Sequence, residues 1–307
     1  MSGDETWQEG LRQRVSGTIL FDEQARNHTS LGVGGRIDAL VFPESVAELA
    51  AGVAFLRARG VPFLPVGNWT NLIVRDGGYR GTLLSLAALG GLERRDSDDG
   101  EGCLEAQAGV RLSELVALSV REALTGAEFL AGIPGSVGGA VRMNAGAYGG
   151  EIKDICTSVS LLDPGEGVRT VPRDSLRFSY RNLDLPAETI IIGAAFHLGR
   201  GEGDAIAGRV REIVATRREK HPLEYRNAGS IFKNPKPLPA GKLIEAAGLK
   251  GMRIGDAQVS EKHGNFIVNR GEATAEEIIR LIDLVRTRVY ETTGHALETE
   301  VRIIGES

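Results

Sequence analysis

The chain has 307 residues, 42% of them hydrophobic, enough to bury a substantial core and to form two or three compact lobes. A formal net charge of -5 gives no broad basic footprint, which argues against a nucleic-acid partner. Two cysteines, Cys103 and Cys156, are too few for a disulfide framework and lack metal or redox spacing, so both are expected as small core residues. The first ten residues include Asp4 and Glu5 and no apolar h-region, and no run of eighteen uncharged apolar residues occurs. A soluble cytoplasmic protein with no membrane partner is expected.

The first clear element is an amphipathic helix over Ser45 to Arg59, with Val46, Leu49, Val53 and Leu56 at helical spacing, Ser45 and Glu48 as a capping box and Gly60 as the stop. Val61 to Val66 and Leu72 to Val74 are predicted strands flanking the turn-rich Gly67, Asn68, Trp69, Thr70 and Asn71, and Thr82 to Leu86 is another strand. A strand over Leu104 to Ala108 leads into a helix over Leu112 to Leu124, and Ile155 to Leu162 and Thr189 to Leu198 are again strand-forming. Gly199 to Gly203 is predicted to be a linker, followed by a helix from Ala205 to Lys220. The last helix has Thr274 and Glu277 as its capping box, a face of Ile278, Ile282, Val285 and Val289, and Gly294 as its end. A strand over Leu297 to Ile304 closes the chain, and the order is α+β rather than a regular βαβ series.

Glycine supplies 41 of the 307 residues, about twice the usual share of roughly 7%. Seven of the twenty positions from Ala131 to Gly150 are glycine. Such a stretch brings backbone N–H groups together without intervening side chains, an arrangement that binds phosphate. Composition alone equally allows a set of tight turns. GxGxxG does not occur, which disfavours a Rossmann fold and leaves a pyrophosphate cradle of another type open. The five histidines, at 28, 197, 221, 263 and 295, have no metal-ligand spacing, so no metal is expected. There is no GxSxG elbow, and Gly241-Lys242 continues into leucine rather than Ser or Thr, so hydrolase and NTPase readings lose their anchors.

Eight blocks in order carry a resemblance over nearly the whole chain: Asn27 to Gly35, Gly67 to Val74, Gly132 to Gly150, Ser179 to Asn182, Ala228 to Pro235, Ala240 to Glu245, Val259 to Asn269 and Glu298 to Arg302. The chain resembles the UDP-N-acetylenolpyruvoylglucosamine reductase family. The resemblance implies a two-lobed, non-Rossmann FAD-binding region of the vanillyl-alcohol-oxidase type and a C-terminal α+β substrate-binding domain. The corresponding boundaries are an N-terminal extension over 1–26, an FAD-binding region over 27–200 with lobes of about 27–88 and 89–200, and a substrate domain over 201–307 whose last strand returns to the active site. The short stretch from Arg181 to Ser230 resembles the form lacking a tyrosine-bearing insertion.

The implied activity is reduction by NADPH, through non-covalent FAD, of UDP-N-acetylglucosamine enolpyruvate to UDP-N-acetylmuramate, by a monomer in peptidoglycan synthesis, and so in cell-wall biogenesis, cell shape and division. Hydride reaches C3 from the reduced flavin and a proton reaches C2 from Ser230. Arg181 offers the substrate carboxylate a planar fork of donors. Glu300, with Glu298 as fallback, is the second stabiliser and would have to be protonated. The implied flavin contacts are Gly67, Asn68, Trp69, Thr70, Asn71, Gly132, Ile133, Pro134, Gly135, Ser136, Gly138, Gly139, Ala140, Asn144, Gly146 and Ala147. Tyr180, Lys220, Lys233, Asn234 and Lys242 are implied for substrate, while His263 and Asn265 are read as supports.

The chain departs from the family pattern at three places: Trp69 where a small residue is usual, Asn182-Leu183 in place of a polar pair ending in serine, and Gly264 where alanine is usual. An oxygen-using flavin oxidase and a non-catalytic nucleotide-sugar binding module are the alternatives. Oxidases of this fold often attach flavin through His or Cys, and neither occurs in Gly67 to Asn71; the presence of Arg181, Ser230 and Glu300 argues against the non-catalytic module.

Overall fold

Alternating burial along strands and capped amphipathic helices generate a mixed α+β structure in the computed structural model, which describes residues 6–96 and 102–307. Asp4 and Glu5 lie outside the described residues. Within those residues the chain divides into two units, one taking 6–21, Ala39–Asn68, 81–96 and 102–215, the other Asp22–Asp38, Trp69–Arg80 and Thr216–Ser307.

The first unit is built on an antiparallel sheet in the order Gly167–Pro172, Cys156–Asp163, Ile190–Arg200, Gly102–Gln107 and Leu92–Asp96. The strand period of two turns Leu104 and Ala106 inward, against Phe196, Val159 and the helix Leu112–Arg121. The same alternation leaves Cys103 half-buried on the other face, so of the two cysteines only Cys156 is a core residue. A second core of this unit gathers Leu49, Val53 and Leu56 from the helix Val46–Ala58 with Leu11, Leu84 and Ile190. Phe63–Val66 pairs in parallel with Tyr79–Ser85, Phe63 opposite Thr82.

Several elements differ from expectation for local reasons. Ser45 Oγ accepts from the Glu48 N–H, but the Glu48 carboxylate receives Ser16 Oγ–H and the N–H groups of Glu44 and Gly17, so only half of the capping box forms. Helix Leu112–Arg121 stops early because Leu124–Thr125 pairs with Gly199 and Arg200. That pairing extends the strand through Arg200, and the next helix begins at Gly203, so the expected linker shrinks to Gly201 and Glu202. Of Leu297 to Ile304 only Arg302–Ile304 is a strand, parallel to Leu72–Val74.

The second unit carries an antiparallel sheet in the order Arg226–Ser230, Phe266–Asn269, Ala257–Val259 and Arg253–Ile254. Helix Ala275–Thr293 has the full Thr274/Glu277 capping box and ends at Gly294, whose φ is 72°. It buries Ile278, Leu281, Ile282, Val285 and Val289 against Ile244, Val259 and Leu297, each side chain contributing roughly 1.5–3 kcal/mol.

An aromatic cluster lies beside this sheet. His221 and His263 have ring centroids 5.5 Å apart, and each lies 4.9 Å from the Phe266 ring. Burial, reinforced by the charges of Arg217, His263, Lys262 and Lys220, lowers the His221 pKa from 6.5 to about 4. Burial also lowers that of His263, with the charge of Lys250 adding to it. Between the unfolded value and the folded one the unfolded chain binds more protons, so these imidazoles make stability fall as pH drops from about 6.5 toward 4. Thermal melts across that window should therefore show a decline that His221→Gln reduces; an equal decline in the variant would exclude His221 as a source.

Candidate active site

The glycine-rich stretch is not a single loop. It contains the short helix Val137–Arg142 and the two-strand hairpin of Gly146–Ala147 and Gly150–Glu151. The Val137 and Gly138 N–H groups are spent on the carbonyls of Val110 and Ala108, which fixes the start of the helix beside the segment 108–110. Ser136, at its N-cap, is 3% exposed, and its Oγ is buried with no hydrogen-bond partner among the described residues. A Cβ on Gly67 would fall 2.6 Å from that oxygen, so only glycine fits beside the hydroxyl. A hydroxyl left unpaired in a cradle that a methyl group would fill suits a phosphate oxygen. Gly67, Ser136 and the exposed Gly132 and Gly139 thus fit a flavin dinucleotide.

Asn144 is also bound within the protein. It is fully buried at φ 40°; its amide donates to Glu151 Oε2 and the Ser179 carbonyl, both at 3.0 Å, while its Oδ1 accepts from the Lys153 N–H at 3.0 Å. It therefore ties the glycine-rich stretch to the hairpin of Phe178–Ser179 and Asn182–Leu183, whose two-residue turn is Tyr180 and Arg181. Arg181 sits at φ 56°, donates from Nη2 to the Gly146 carbonyl at 3.0 Å and lies 5.0 Å from the Tyr180 ring. Burial pushes the Glu151 carboxyl up, but hydrogen bonds from Lys153 and Asn144 and the charges of Lys153 and Arg181 outweigh it, and the net shift is downward. Four of the six non-glycine residues with positive φ among the described residues, Trp69, Asn144, Tyr148 and Arg181, fall in segments singled out from the sequence. Such conformations cost roughly 1–2 kcal/mol each and concentrate where function requires them.

In the second unit Trp69 is 7% exposed and stacks on His28 at 5.4 Å, with its carbonyl accepting from the Ser30 N–H. Asn71 Nδ2 donates to the Glu300 carbonyl at 3.1 Å and the Asn71 carbonyl accepts from Arg302 N–H, so Asn71 braces the C-terminal segment. Ser230 and Glu300 are both half-buried. The Glu300 N–H donates at 2.8 Å to the carbonyl of Ile231, the residue after Ser230, so two groups seventy positions apart share one backbone junction. Glu298 lies on the outside in an ion pair with Lys233 at 3.2 Å. Asn234 Oδ1 accepts from Ala240 N–H. Lys220, Lys242 and Tyr180 are exposed.

Sequence reasoning gave no role to Ser30, whose buried Oγ has no partner among the described residues although it lies within the Asn27 to Gly35 block. It also gave none to an open polar cleft of about 450 Å³ lined by Arg26, Asn27, Thr29, Arg226 and Glu272. Gly264 has a steric reason: a Cβ there would fall 2.8 Å from the Gly241 carbonyl. Among the described residues no cluster of His, Cys, Asp and Glu could hold a metal ion, and no helix is long and apolar enough to cross a membrane.

A family model described as FAD binding domain matches residues 37–171, which places the chain in the class of FAD-binding flavoproteins. A second, described as UDP-N-acetylenolpyruvoylglucosamine reductase, C-terminal domain, matches 221–304. The UDP-N-acetylenolpyruvoylglucosamine reductase of Syntrophus aciditrophicus is 52% identical over 97% of this chain and 96% of its own length. That of Geobacter metallireducens is 44% identical over 96% and 97%. The crystal structure of the Thermus caldophilus enzyme superposes with a TM-score of 0.77 at 33% identity, covering 94% of this chain and 98% of that one. The chain belongs to the UDP-N-acetylenolpyruvoylglucosamine reductase family.

The cradle can be tested by itself. Gly67→Ala should weaken FAD binding to the apo-protein roughly tenfold or more in a fluorescence titration; unchanged affinity would remove Gly67 and Ser136 from the phosphate contact.

Proposed function

We propose that this protein reduces UDP-N-acetylglucosamine enolpyruvate to UDP-N-acetylmuramate at the expense of NADPH, as a monomeric cytoplasmic enzyme of peptidoglycan-precursor synthesis. The junction at Ile231, which holds Ser230 and Glu300 on neighbouring backbone, carries this reading. FAD, when bound, accepts hydride from NADPH and supplies it to C3 of the enolpyruvyl group. Residues 27–200 are assigned to holding it, non-covalently, and residues 201–307 to the substrate.

An enol ether accepts hydride only if the charge spreading onto its carboxylate is stabilised. Arg181 is assigned to that carboxylate; its bond to Gly146 and its turn at φ 56° fix the guanidinium before substrate arrives. Glu300 is the second donor, and its half-buried position with a braced carbonyl favours it over the exposed, ion-paired Glu298. Ser230 Oγ gives the proton to C2, where a strongly basic intermediate makes a hydroxyl a competent acid. Lys220 and Lys242 are assigned to the diphosphate, with Tyr180 beside the carboxylate site, while Lys233 and Asn234 hold their loop through Glu298 and Ala240.

Under anaerobic conditions NADPH should bleach the bound flavin, and addition of UDP-N-acetylglucosamine enolpyruvate should restore the oxidised spectrum. In Ser230→Ala the bleaching should persist while product formation falls on the order of 10²–10⁴-fold. Equal loss of both halves would contradict the assignment of the proton to Ser230.

A further inference from the structure

The strand carrying Ser230 is interrupted just before it. Arg226 and Asn227 pair with Asn269 and Val268, then the register shifts, and Ser230 resumes opposite Phe266. Gly229, at φ 72°, makes the break, and its N–H turns back to Asn227 Oδ1. A bulge of this kind re-aims the side chain that follows it and leaves the ladder open on one side, so the position of Ser230 depends also on what grips the chain immediately after it.

That grip is Asn265. It is 2% exposed, its Oδ1 accepts from the Phe232 N–H at 2.9 Å, and its Nδ2 donates to the Phe232 carbonyl at 2.8 Å. Its own carbonyl accepts from the Ile231 N–H at 2.9 Å. One side-chain amide thus replaces a pair of ladder bonds. The Asn265 N–H in turn donates to His263 Nδ1 at 3.2 Å, which ties the clamp to the histidine cluster. The Ile231 carbonyl, held by the same clamp, receives the Glu300 N–H. We propose that Asn265 is the positioning residue for this reaction, setting Ser230 and Glu300 together through its paired hydrogen bonds to Phe232 and Ile231. The proposal rests on the assignment of Ser230 as proton donor. Misplacing a reacting group by about 1 Å lowers rates on the order of 10²-fold, and a slip at Phe232 moves both donors.

The test is a double-mutant cycle on the FAD-loaded protein, reading product formation in a single turnover after anaerobic reduction. Asn265→Asp keeps the size and an acceptor for the Phe232 N–H but sets an oxygen against the Phe232 carbonyl. Asn265→Ser, which removes both bonds without adding charge, serves if the first variant fails to fold. Each is expected to lower the rate on the order of 10²-fold, and the double variant with Ser230→Ala should lose clearly less than the product of the two separate losses, because only the part that acts through Glu300 is left to lose. A wild-type rate in both Asn265 variants, or a double variant showing the product of the two separate losses, would overturn the positioning role. A wild-type rate in Ser230→Ala alone would instead overturn the assignment of Ser230, and this proposal with it.

Discussion

A strand ladder fixes side chains by register, and where the register breaks some other bond must take over. At Gly229 the ladder of the second unit breaks, and beyond the break the Asn265 amide secures the strand by bonding both polar groups of Phe232. The C-terminal segment then attaches to the same short run of backbone, through Glu300 N–H on the Ile231 carbonyl and Lys233 N–H on that of Glu298. A buried amide in this position cannot lose either bond cheaply, because each would leave an unpaired polar group in the core. The chemistry assigned to Ser230 and Glu300 inherits its geometry from this junction.

The first unit solves a similar problem in a similar way. Arg181 occupies a left-handed turn that resists a side chain, and it is anchored by Gly146 on one side and by the Asn144 and Glu151 bonds around it on the other. In both units a buried asparagine spends its amide on backbone and so holds a neighbouring segment in place. The hydroxyl of Ser136 is the opposite case, a buried polar atom kept unpaired beside a glycine. Bound groups are expected at the second kind of feature, and firm placement of reacting side chains at the first.

The sequence was most legible where a local rule decides the outcome. The final helix declares itself through Thr274, Glu277 and a continuous apolar face, and the structure keeps each of these. Leu72 to Val74 needed only its three apolar residues. Legibility failed where a distant partner overrides the local signal. Glu48 bonds to Ser16 instead of completing its box, and Gly199 and Arg200 continue a strand because Thr125 and Leu124 lie opposite them. Cys103 was assigned to the core by composition, but strand alternation beside Leu104 turns it outward. At the site, glycine content pointed to the cradle but concealed the helix within it. For Asn71 and Asn144, which the resemblance assigns to the cofactor, the partners Glu300, Glu151 and Ser179 are visible only once the chain has folded.

Amide hydrogen exchange tests the central claim most directly. If the junction holds the reacting groups in place, the N–H groups of Ile231, Phe232 and Glu300, each donating to an acceptor of that junction, should exchange together and only through the largest opening of the second unit. Fast, independent exchange at these three positions, comparable with that of the exposed Lys236 and Leu238, would contradict it.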